Sequence, residues 1–451
     1  MQPDWGYILR RQDRILVSFN SQGQLSGFAD ENGNRVDYRY SGERLSEIGA
    51  PGGATLKLTY DSKGRLVQVT ASDGRAAKYT FDSAGHLTSV TDATGYRTTY
   101  AYDSEHRLTA ITDAAGRTLV EHKYDGLGRL VEQKGAQGYA VSAAYDPANR
   151  QATYTDTRGY RAVRTYDEQQ RLVKETDPLG QSITYGYDKD GNLARFTDKR
   201  GNTTGYTYDQ MGNLTQVTTP LKTAVQFGYD ANRNLRYSID PQMQLVLYEY
   251  DSRNNLTRVT DGLKVVRLNP DGSFSYDSSR AFSTQFEYDS YGNVKAVVGA
   301  NGRRTEFGYD ARGNLTSIKS AGRETRQEFD ARARLTRVID PLGRSAQFTY
   351  DDRDLMTGVT TAAGTTRYEY DAVGNLVKVT DANGNATRYV YDASGNLVQV
   401  IEATSAVTRY EYDVVGNLVA VIDANQRRTN FEYDALGRVV RETFTISGTS
   451  R

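Results

Sequence analysis

Hydrophobic and polar residues alternate over short stretches of this chain, and turn-forming residues separate the stretches. Between Tyr96 and Tyr102, tyrosine or threonine occupies every second position. A period of two is typical of a β-strand with one buried face. Residues 397–401 (LVQVI) are rich in β-branched side chains, which also favour strands. Helical spacing is not sustained along the chain, and the pattern therefore predicts short β-strands throughout.

A first kind of turn follows most of the aromatic-rich stretches and has the consensus Tyr-Asp-x-x-Gly-(Asn/Arg)-Leu. An aspartate side chain can accept hydrogen bonds from the backbone of its own turn, and glycine adopts a positive φ without steric cost. In several units another residue stands at the glycine position, namely Asn149, Asn254, Asp354, Gln170, Arg233 and Ala333. Asn and Asp tolerate the left-handed conformation, whereas Gln, Arg and Ala do not fit this explanation.

A second kind of turn lies between the first turns and often reads Asp-x-x-Gly. Residues 177–180 and 340–343 both read Asp-Pro-Leu-Gly. Asp at the first position, Pro at the second and Gly at the fourth are typical of a type I turn. Two turns and two strands make one β-hairpin per unit.

The hairpin unit recurs in register along nearly the whole chain. The Tyr-Asp or Phe-Asp pair begins at Tyr60, Phe81, Tyr102, Tyr124, Tyr145, Tyr166, Tyr187, Tyr208, Tyr229, Tyr250, Tyr288, Tyr309, Phe329, Tyr350, Tyr370, Tyr391, Tyr412 and Tyr433, with degenerate copies at Phe19 and Tyr40. We therefore predict about 20 units of about 21 residues over 19–440, after a leading segment 1–18 and before a tail 441–451. The interval from Tyr250 to Tyr288 is nearly twice as long, which predicts an extra hairpin at 261–277.

The predicted fold class is all-β, with tandem hairpins in one long antiparallel sheet that coils into a spiral shell or open band. About 40 strands at ~4.8 Å spacing would give a strip ~190 Å long. Going around once, such a strip would form a circle ~60 Å across. A twisted sheet of this length must coil or close on itself. We expect the tyrosine rings to form a stripe and to pack on one another in place of a conventional core.

Composition excludes several classes of protein. The 451 residues contain no Cys and only three His, which leaves little for a disulfide scaffold or a transition-metal site. Lys and Arg together number 56, as do Asp and Glu, and this balance argues against a nucleic-acid partner. No apolar stretch is long enough for a membrane helix, and the first residues lack the apolar core of a classical signal peptide.

No catalytic, cofactor-binding or metal-binding residue is predicted. Rows of turn carboxylates could bind calcium, but hydrogen bonding within each turn and pairing with nearby Arg and Lys explain them more simply. His86 and His106 fall at repeat positions and are expected on the surface, where a weak metal contact is the alternative. The tyrosine stripe could instead bind sugars by stacking, although internal packing is favoured.

The repeat motif resembles the YD repeat of the rearrangement-hotspot (Rhs) family, which includes bacterial Rhs effectors, insecticidal toxin-complex C subunits, wall-associated toxins and teneurins. The motif residues that best carry the resemblance are Tyr60, Asp61, Gly64, Leu66, Tyr208, Asp209, Gly212, Leu214, Tyr391, Asp392, Gly395, Leu397, Tyr412, Asp413, Gly416 and Leu418. The resemblance implies a spiral sheet wrapped into a hollow shell. In the bacterial toxins of the family, that shell encloses a C-terminal toxin domain.

The function expected from this resemblance is a non-enzymatic shell segment of a bacterial polymorphic toxin. The expected partners are a toxin domain as cargo and the spike or adaptor proteins of a type VI secretion machine, and the open strand edges also allow self-association. Secretion or delivery from the bacterial cytoplasm without a classical signal peptide, for use in bacterial competition, is the expected localisation. The alternative is a cell-surface module for adhesion or carbohydrate binding.

Overall fold

The computed structural model describes residues 6–11, 15–135, 138–268 and 273–446, and these residues form β-strands and turns. All 42 strands belong to one sheet. No helix in this described part is long and apolar enough to cross a membrane. The all-β prediction, with a long antiparallel sheet built from tandem hairpins, is confirmed.

The strands follow one another at short intervals along the chain. They are β1 (Tyr7–Arg10), β2 (Leu16–Phe19), β3 (Leu25–Ala29), β4 (Arg35–Ser41), β5 (Arg44–Gly49), β6 (Thr55–Tyr60), β7 (Leu66–Ala71), β8 (Ala76–Phe81), β9 (Leu87–Thr91), β10 (Arg97–Tyr102), β11 (Leu108–Thr112), β12 (Thr118–Tyr124), β13 (Leu130–Gly135), β14 (Ala140–Asp146), β15 (Gln151–Asp156), β16 (Arg161–Tyr166), β17 (Leu172–Thr176), β18 (Ser182–Tyr187), β19 (Leu193–Thr197), β20 (Thr203–Tyr208), β21 (Leu214–Thr218), β22 (Ala224–Tyr229), β23 (Leu235–Ile239), β24 (Gln244–Tyr250), β25 (Leu256–Leu268), β26 (Phe274–Asp277), β27 (Phe282–Tyr288), β28 (Val294–Val298), β29 (Arg304–Tyr309), β30 (Leu315–Ser320), β31 (Arg323–Phe329), β32 (Leu335–Ile339), β33 (Ser345–Tyr350), β34 (Met356–Thr361), β35 (Gly364–Tyr370), β36 (Leu376–Thr380), β37 (Ala386–Tyr391), β38 (Leu397–Ile401), β39 (Val407–Tyr412), β40 (Leu418–Ile422), β41 (Arg427–Tyr433) and β42 (Val439–Ile446).

Strands that are neighbours in sequence pair antiparallel. Strand β20, for example, pairs with β19 on one side and with β21 on the other. In the β20–β21 pair the register shifts between Thr207 and Tyr208, so that Tyr208 lies opposite Leu214. The same shift recurs at the Tyr-Asp end of most hairpins, for example at Tyr391 and Tyr412. Such a β-bulge bends the strand locally and increases its twist.

The two faces of the sheet differ in chemistry because side chains alternate along each strand. On β39, Thr408, Tyr410 and Tyr412 are half-buried, while Arg409 and Glu411 are exposed. The exposed face carries ion pairs between neighbouring hairpins, such as the 2.6 Å contact of Arg428 with Glu411. One face is therefore aromatic and the other charged.

The long interval between Tyr250 and Tyr288 contains an extension of one strand. The first part of β25 pairs with β27, and its last residues pair with β26 (Lys264 with Asp277, Leu268 with Phe274). The inserted segment therefore lengthens β25 and adds the short strand β26. It does not add two full-length strands to the sheet. The predicted turn at 269–272 lies outside the described residues.

A compact apolar core lies beneath this inserted segment. Ile239, Leu245, Leu263 and Val265 are buried together. Tyr237 and Phe274 pack against this cluster with their rings edge to face, 4.8 Å apart. Apolar side chains of β23 and β24 are thus covered by the extended hairpin, which gives this region a conventional hydrophobic core.

The chain divides into two compact units. Unit 1 comprises residues 1–59, 69–74 and 184–344, and unit 2 comprises residues 60–68, 75–183 and 345–451. The first-turn rim is the row of turns that begin with the Asp of a Tyr-Asp pair, and the second-turn rim is the row at the opposite ends of the strands.

In unit 1, second turns near the start of the chain lie against first turns much further along. The Nδ2 of Asn34 donates a hydrogen bond to the carbonyl oxygen of Tyr291 at 2.8 Å. The side chains of Asn32 and Asn255 hydrogen-bond to each other at 3.1 and 3.3 Å, although the two residues are 223 positions apart. Two segments of unit 1 therefore meet rim to rim, and the expectation that the strip goes around only once is wrong for this unit.

Unit 2 repeats this arrangement with other residues. Arg75, which follows a second turn, donates from Nη1 to Oδ2 of Asp354 at 2.9 Å. Arg117 ends the second turn 113–117, two hairpins further along the chain. Its Nη1 donates to the carbonyl oxygen of Ala393 at 2.6 Å. Asp354 and Ala393 both belong to first turns. Rim-to-rim contact is thus a shared feature of both units.

Candidate functional site

The aspartate of the Tyr-Asp pair is the centre of the first turn. Oδ1 of Asp392 accepts hydrogen bonds from the backbone N–H groups of Ser394 at 2.8 Å and Asn396 at 2.9 Å, and Oδ2 accepts one from Asn396 Nδ2 at 2.9 Å. The backbone closes the turn through Asp392 N to the Asn396 carbonyl oxygen and Gly395 N to the Asp392 carbonyl oxygen. Both carboxylate oxygens are thus used to hold their own turn.

The other first turns singled out from the sequence have the same geometry. Asp61, Asp209 and Asp413 each accept two backbone hydrogen bonds on Oδ1 and one side-chain hydrogen bond on Oδ2. The glycine of each of the four turns has φ between 78° and 86°, at Gly64, Gly212, Gly395 and Gly416. The leucine that follows opens the next strand, at Leu66, Leu214, Leu397 and Leu418.

Residues other than glycine adopt the same backbone conformation at this position. Asn254 and Asp354 have φ of 61° and 64°, as predicted. Gln170, Arg233 and Ala333, which the sequence left unexplained, have φ of 62°, 65° and 59°. Every first turn at these five positions is closed by the same pair of backbone hydrogen bonds, which hold the residue in the left-handed region despite its steric cost.

Asn149 is the exception, and the prediction for it is wrong. Strands β14 and β15 pair without a shift as far as Asp146 and Gln151. The connecting loop is therefore 147–150, and Arg150 is its left-handed residue, with φ of 52°.

The tyrosine of each Tyr-Asp pair links one hairpin to the hairpin before it. The hydroxyl of Tyr208 donates to the carbonyl oxygen of Leu193 at 3.0 Å, that of Tyr391 to Leu376 at 3.0 Å, and that of Tyr412 to Leu397 at 2.9 Å. The acceptor is in each case the Leu that opens the strand after the preceding first turn. The same bond recurs at Tyr102, Tyr124, Tyr145, Tyr229, Tyr250 and Tyr433.

The ring of the same aromatic residue packs under a side chain of the preceding first turn. The guanidinium of Arg65 lies 5.0 Å from the Phe81 ring centre, and Arg129 lies 4.7 Å from that of Tyr145. Cations are attracted to aromatic faces in this geometry. In these hairpins the Asn/Arg position of the motif supplies one contact to the ring, and packing of Tyr-Asp rings on one another stays a prediction.

The electrostatics of the first turns follow from these hydrogen bonds. The hydrogen bonds that the backbone N–H and the guanidinium of Arg65 donate lower the pKa of the Asp61 carboxyl. Burial acts to raise the pKa of Asp209, but hydrogen bonds from Asn213 outweigh it and the pKa is lowered. Burial raises the pKa of the Tyr412 hydroxyl. The carboxylates are thus favoured as anionic acceptors, and the hydroxyls as protonated donors.

His86 and His106 form the most distinctive polar cluster. His86 Nδ1 lies 2.7 Å from Asp82 Oδ2, its Nε2 lies 2.5 Å from His106 Nδ1, and its ring stacks on Tyr102 at 4.7 Å. His86 therefore takes the role that Arg or Asn has in other units, and its link to His106 joins two turns. Within the described ranges, no group of three or more His, Asp or Glu side chains could hold a metal ion.

The apolar core under β25 and β26 is the feature that sequence reasoning missed. The signal was present in the long interval after Tyr250 and in the alternation of Leu263 and Val265. What the sequence did not indicate is that this hairpin covers Ile239 and Leu245 of earlier strands.

Two family models match the chain. The RHS Repeat model matches residues 60–93, 81–118, 166–195, 329–366, 370–407, 391–428 and 412–445. The Teneurin YD-shell model matches residues 194–327, which include the extended hairpin. A comparison with curated proteins gave no match.

A solved structure with a TM-score above 0.5 shows a similar fold. A crystal structure of TcdB2-TccC3-TEV superimposes with a TM-score of 0.63 at 14% identity, over 94% of this chain and 26% of that chain. The Tc holotoxin pore of Photorhabdus luminescens gives a TM-score of 0.46 at 12% identity, over 95% of this chain and 27% of that chain. This chain therefore spans about a quarter of the length of either structure's chain.

Proposed function

Because the chain belongs to the Rhs/YD-repeat family, we propose that it forms part of the wall of a shell that encloses a toxin domain. The wall itself carries out no chemistry in this proposal. Its role is to separate the enclosed domain from the producing cell until delivery.

The observation that carries this proposal is the rim-to-rim contact inside each unit. Asn34 with Tyr291 in unit 1 and Arg117 with Ala393 in unit 2 join turns that are more than 250 residues apart. A sheet whose rims are hydrogen-bonded to one another has no gap between its successive windings at those points. A wall needs windings without gaps between them, whereas an open adhesive ribbon does not.

The use of the motif residues supports the same proposal. The carboxylates of the first turns accept hydrogen bonds within their own turns, and the tyrosine hydroxyls donate to the neighbouring hairpin. The residues that recur most often in the chain are thus engaged in holding hairpins together. This leaves the tyrosines poorly suited to act as a row of open sugar-stacking platforms.

Imaging single particles of the full chain by electron cryomicroscopy tests the wall. We expect a curved sheet of hairpins around a solvent-filled space. A flat ribbon, or a particle with protein density throughout, would contradict the proposal.

The identity of the cargo needs a separate experiment. The reading frame that encodes this chain is sequenced in full, and any domain that follows the repeats is expressed in bacterial cells alone and together with them. Toxicity of the domain alone and protection by the repeats are expected. A wall anchor in place of such a domain, with binding on a glycan array, would favour adhesion instead, and turnover that depends on a single Asp would contradict a non-enzymatic wall.

A further inference from the structure

The charged face of the sheet carries an arginine at the same position of three consecutive hairpins. Arg367 on β35, Arg388 on β37 and Arg409 on β39 each lie three residues before the Tyr of a Tyr-Asp pair. All three side chains are exposed, and all three residues belong to unit 2. The same position holds Gln347 in the hairpin before them and Asn430 in the hairpin after them. The repeat therefore does not require arginine here, and its recurrence is particular to these three hairpins.

Strand pairing places the three arginines on one face of the sheet. Lys378 on β36 lies directly opposite Glu369 on one side and Arg388 on the other, and Glu369 follows Arg367 by two residues. Residues at alternate positions of a strand share a face, and so do residues directly opposite each other. The same relation across β38 brings Arg409 onto this face. Successive arginines of this arginine row are two strands apart, which is ~10 Å measured across the strands.

The charges of the arginine row are not matched within the sheet. Among the described residues, no hydrogen bond or ion pair joins any of the three arginines to a partner. Strands β35–β40 hold two carboxylates, and both are already engaged. Glu369 accepts from Lys378 Nζ at 2.7 Å, and Glu411 accepts from Arg428 with both oxygens, at 2.6 and 2.7 Å. Three positive charges are therefore available to an anionic partner.

Carboxylates are the anions that this face already binds. The two-pronged contact of Arg428 with Glu411 shows the geometry, in which a planar guanidinium donates two parallel hydrogen bonds to one carboxylate. The middle of the arginine row is the least neutralised point, because Val390 stands two residues after Arg388 where the flanking hairpins have glutamate. The arginine row therefore favours a partner that presents several carboxylates in succession.

The spacing of the arginine row fits an extended polypeptide. A chain in the polyproline II conformation advances about 3.1 Å per residue, so that every third side chain recurs at about 9 Å. A single-stranded nucleic acid would need aromatic side chains on which its bases stack. The tyrosines of these strands, Tyr368, Tyr389 and Tyr410, alternate with the arginines and lie on the opposite face. The face therefore suits a polypeptide better than a nucleic acid.

We infer that the arginine row binds an extended segment of acidic polypeptide, with Asp or Glu at every third residue, that runs across strands β35–β39. Each carboxylate accepts hydrogen bonds from one guanidinium, and the distance between hairpins selects the spacing of the acidic residues. Because these contacts are exposed, salt weakens them. The inference rests on the open face of the sheet and does not depend on the proposed enclosure of a toxin domain.

Fluorescence anisotropy of a labelled peptide of repeated Glu-Pro-Thr, titrated with the full chain, tests the inference. We expect saturable binding, and weaker binding of a peptide with the same composition whose glutamates stand in one block. Arg388→Gln should weaken binding roughly threefold to fivefold, as expected for one exposed ion pair. Replacing all three arginines with Gln should weaken it roughly 30-fold or more, since sites ~10 Å apart act independently.

Arg326→Gln is the matched control. Arg326 occupies the same repeat position and its side chain is 65% exposed, but it is paired with Glu324 at 2.7 Å, so we expect unchanged binding. The arginines of the row are exposed and unpaired, so the thermal midpoint of their Gln variants should not change, and lost binding then reports the row itself.

Four results would overturn the inference. They are the absence of saturable binding, equal binding of the peptide with its glutamates in one block, an equal loss in Arg326→Gln and Arg388→Gln, and tighter binding of a single-stranded oligonucleotide than of the spaced peptide. Arg388→Lys provides a further check, because lysine keeps the charge but lacks the guanidinium fork. Its binding should lie between that of the unchanged chain and that of Arg388→Gln.

Discussion

At the scale of single residues, each position of the Tyr-Asp motif has its own structural role. The aspartate closes the turn, the glycine position takes the left-handed conformation, and the Asn/Arg position binds the aspartate and covers the next aromatic ring. The tyrosine hydroxyl then fastens its hairpin to the preceding one. Each motif residue therefore contributes to a junction between hairpins or to the turn beside it.

Removing one tyrosine hydroxyl tests the junction. Tyr412→Phe deletes the 2.9 Å hydrogen bond to the Leu397 carbonyl oxygen but keeps the ring, and we expect a loss of about 1 kcal/mol in the free energy of unfolding. Tyr410→Phe is the matched control, because Tyr410 lies on the same strand and face. Urea denaturation measures the free energy of unfolding of both variants. Equal losses would contradict a stabilising role for the Tyr412 hydroxyl.

The glycine position can be tested by graded substitution. Gly395 has φ of 85° and open space around its missing Cβ, so only backbone strain opposes a side chain there. Gly395→Val should cost about 1 kcal/mol or more. Gly395→Asn should cost clearly less, as Asn254 adopts φ of 61° in its own unit. Urea denaturation gives both values, and an unchanged stability in Gly395→Val would be inconsistent with this turn geometry.

At the scale of elements, the first turn behaves as an acid-sensitive unit. The carboxyl pKa values of Asp61, Asp209 and Asp392 are lowered by the turn's hydrogen bonds. The unfolded chain, with higher pKa values, therefore takes up protons first as the pH falls. Stability contributed by these groups is present above about pH 4 and is lost as the pH drops through the folded-state values.

We therefore expect the thermal midpoint to stay level from about pH 8 to pH 5 and to fall below about pH 4. Scanning calorimetry across this range measures it. Asp209→Asn with Asp392→Asn should reduce the acid-induced loss, because the amide does not titrate. Asn20 shows that an amide can hold such a turn, as its Oδ1 accepts from the backbone of Gln22 and Gln24. A midpoint that is level down to about pH 3 would refute this role of the carboxylates.

The extended hairpin is the element with its own apolar core. Leu263 is buried against Ile239 and Leu245, and Leu263→Ala should cost about 2–5 kcal/mol because it removes buried methyl groups and leaves a cavity. Val266→Ala on the same strand changes an exposed side chain and should cost less than about 0.5 kcal/mol. Chemical denaturation distinguishes them, and similar values would mean that the hairpin is not packed on β23 and β24.

At the scale of the whole molecule, contacts between distant turns add to the contacts between neighbours. In unit 1 a Cβ at Gly292 would lie 2.4 Å from Asn32 Nδ2, whereas one at Gly313 would meet nothing within 4 Å. The two glycines have φ of 84° and 83°. They therefore share the same backbone cost and differ in whether an added Cβ would meet a side chain of the opposite rim.

Gly292→Ala should consequently lower the free energy of unfolding by about 1 kcal/mol more than Gly313→Ala, since Asn32 must give up its hydrogen bonds with Asn255. The backbone amides of the 30–34 turn should exchange hydrogen faster in Gly292→Ala and at an unchanged rate in Gly313→Ala. If the two variants behaved alike, the rim contact would contribute nothing to stability.

Much of this architecture could be predicted from local pattern. The period of two, the Asp and Gly at the turns and the repeat of the Tyr-Asp pair specified the hairpins, because strand pairing between sequence neighbours needs only local information. The long interval after Tyr250 likewise located the extended hairpin. Asn149 was misassigned, because the register of β14 and β15 decides where that loop begins.

The sequence by itself determined the hairpin, its turns and their order along the sheet, since these depend on φ preferences and on side-chain alternation within about 21 residues. Only the tertiary structure decided what lies over the tyrosine rings, which side chains the extended hairpin buries and which turns meet across more than 220 residues. Those contacts depend on the twist that each hairpin adds to the next. Small twists summed over many hairpins are not encoded at any one position.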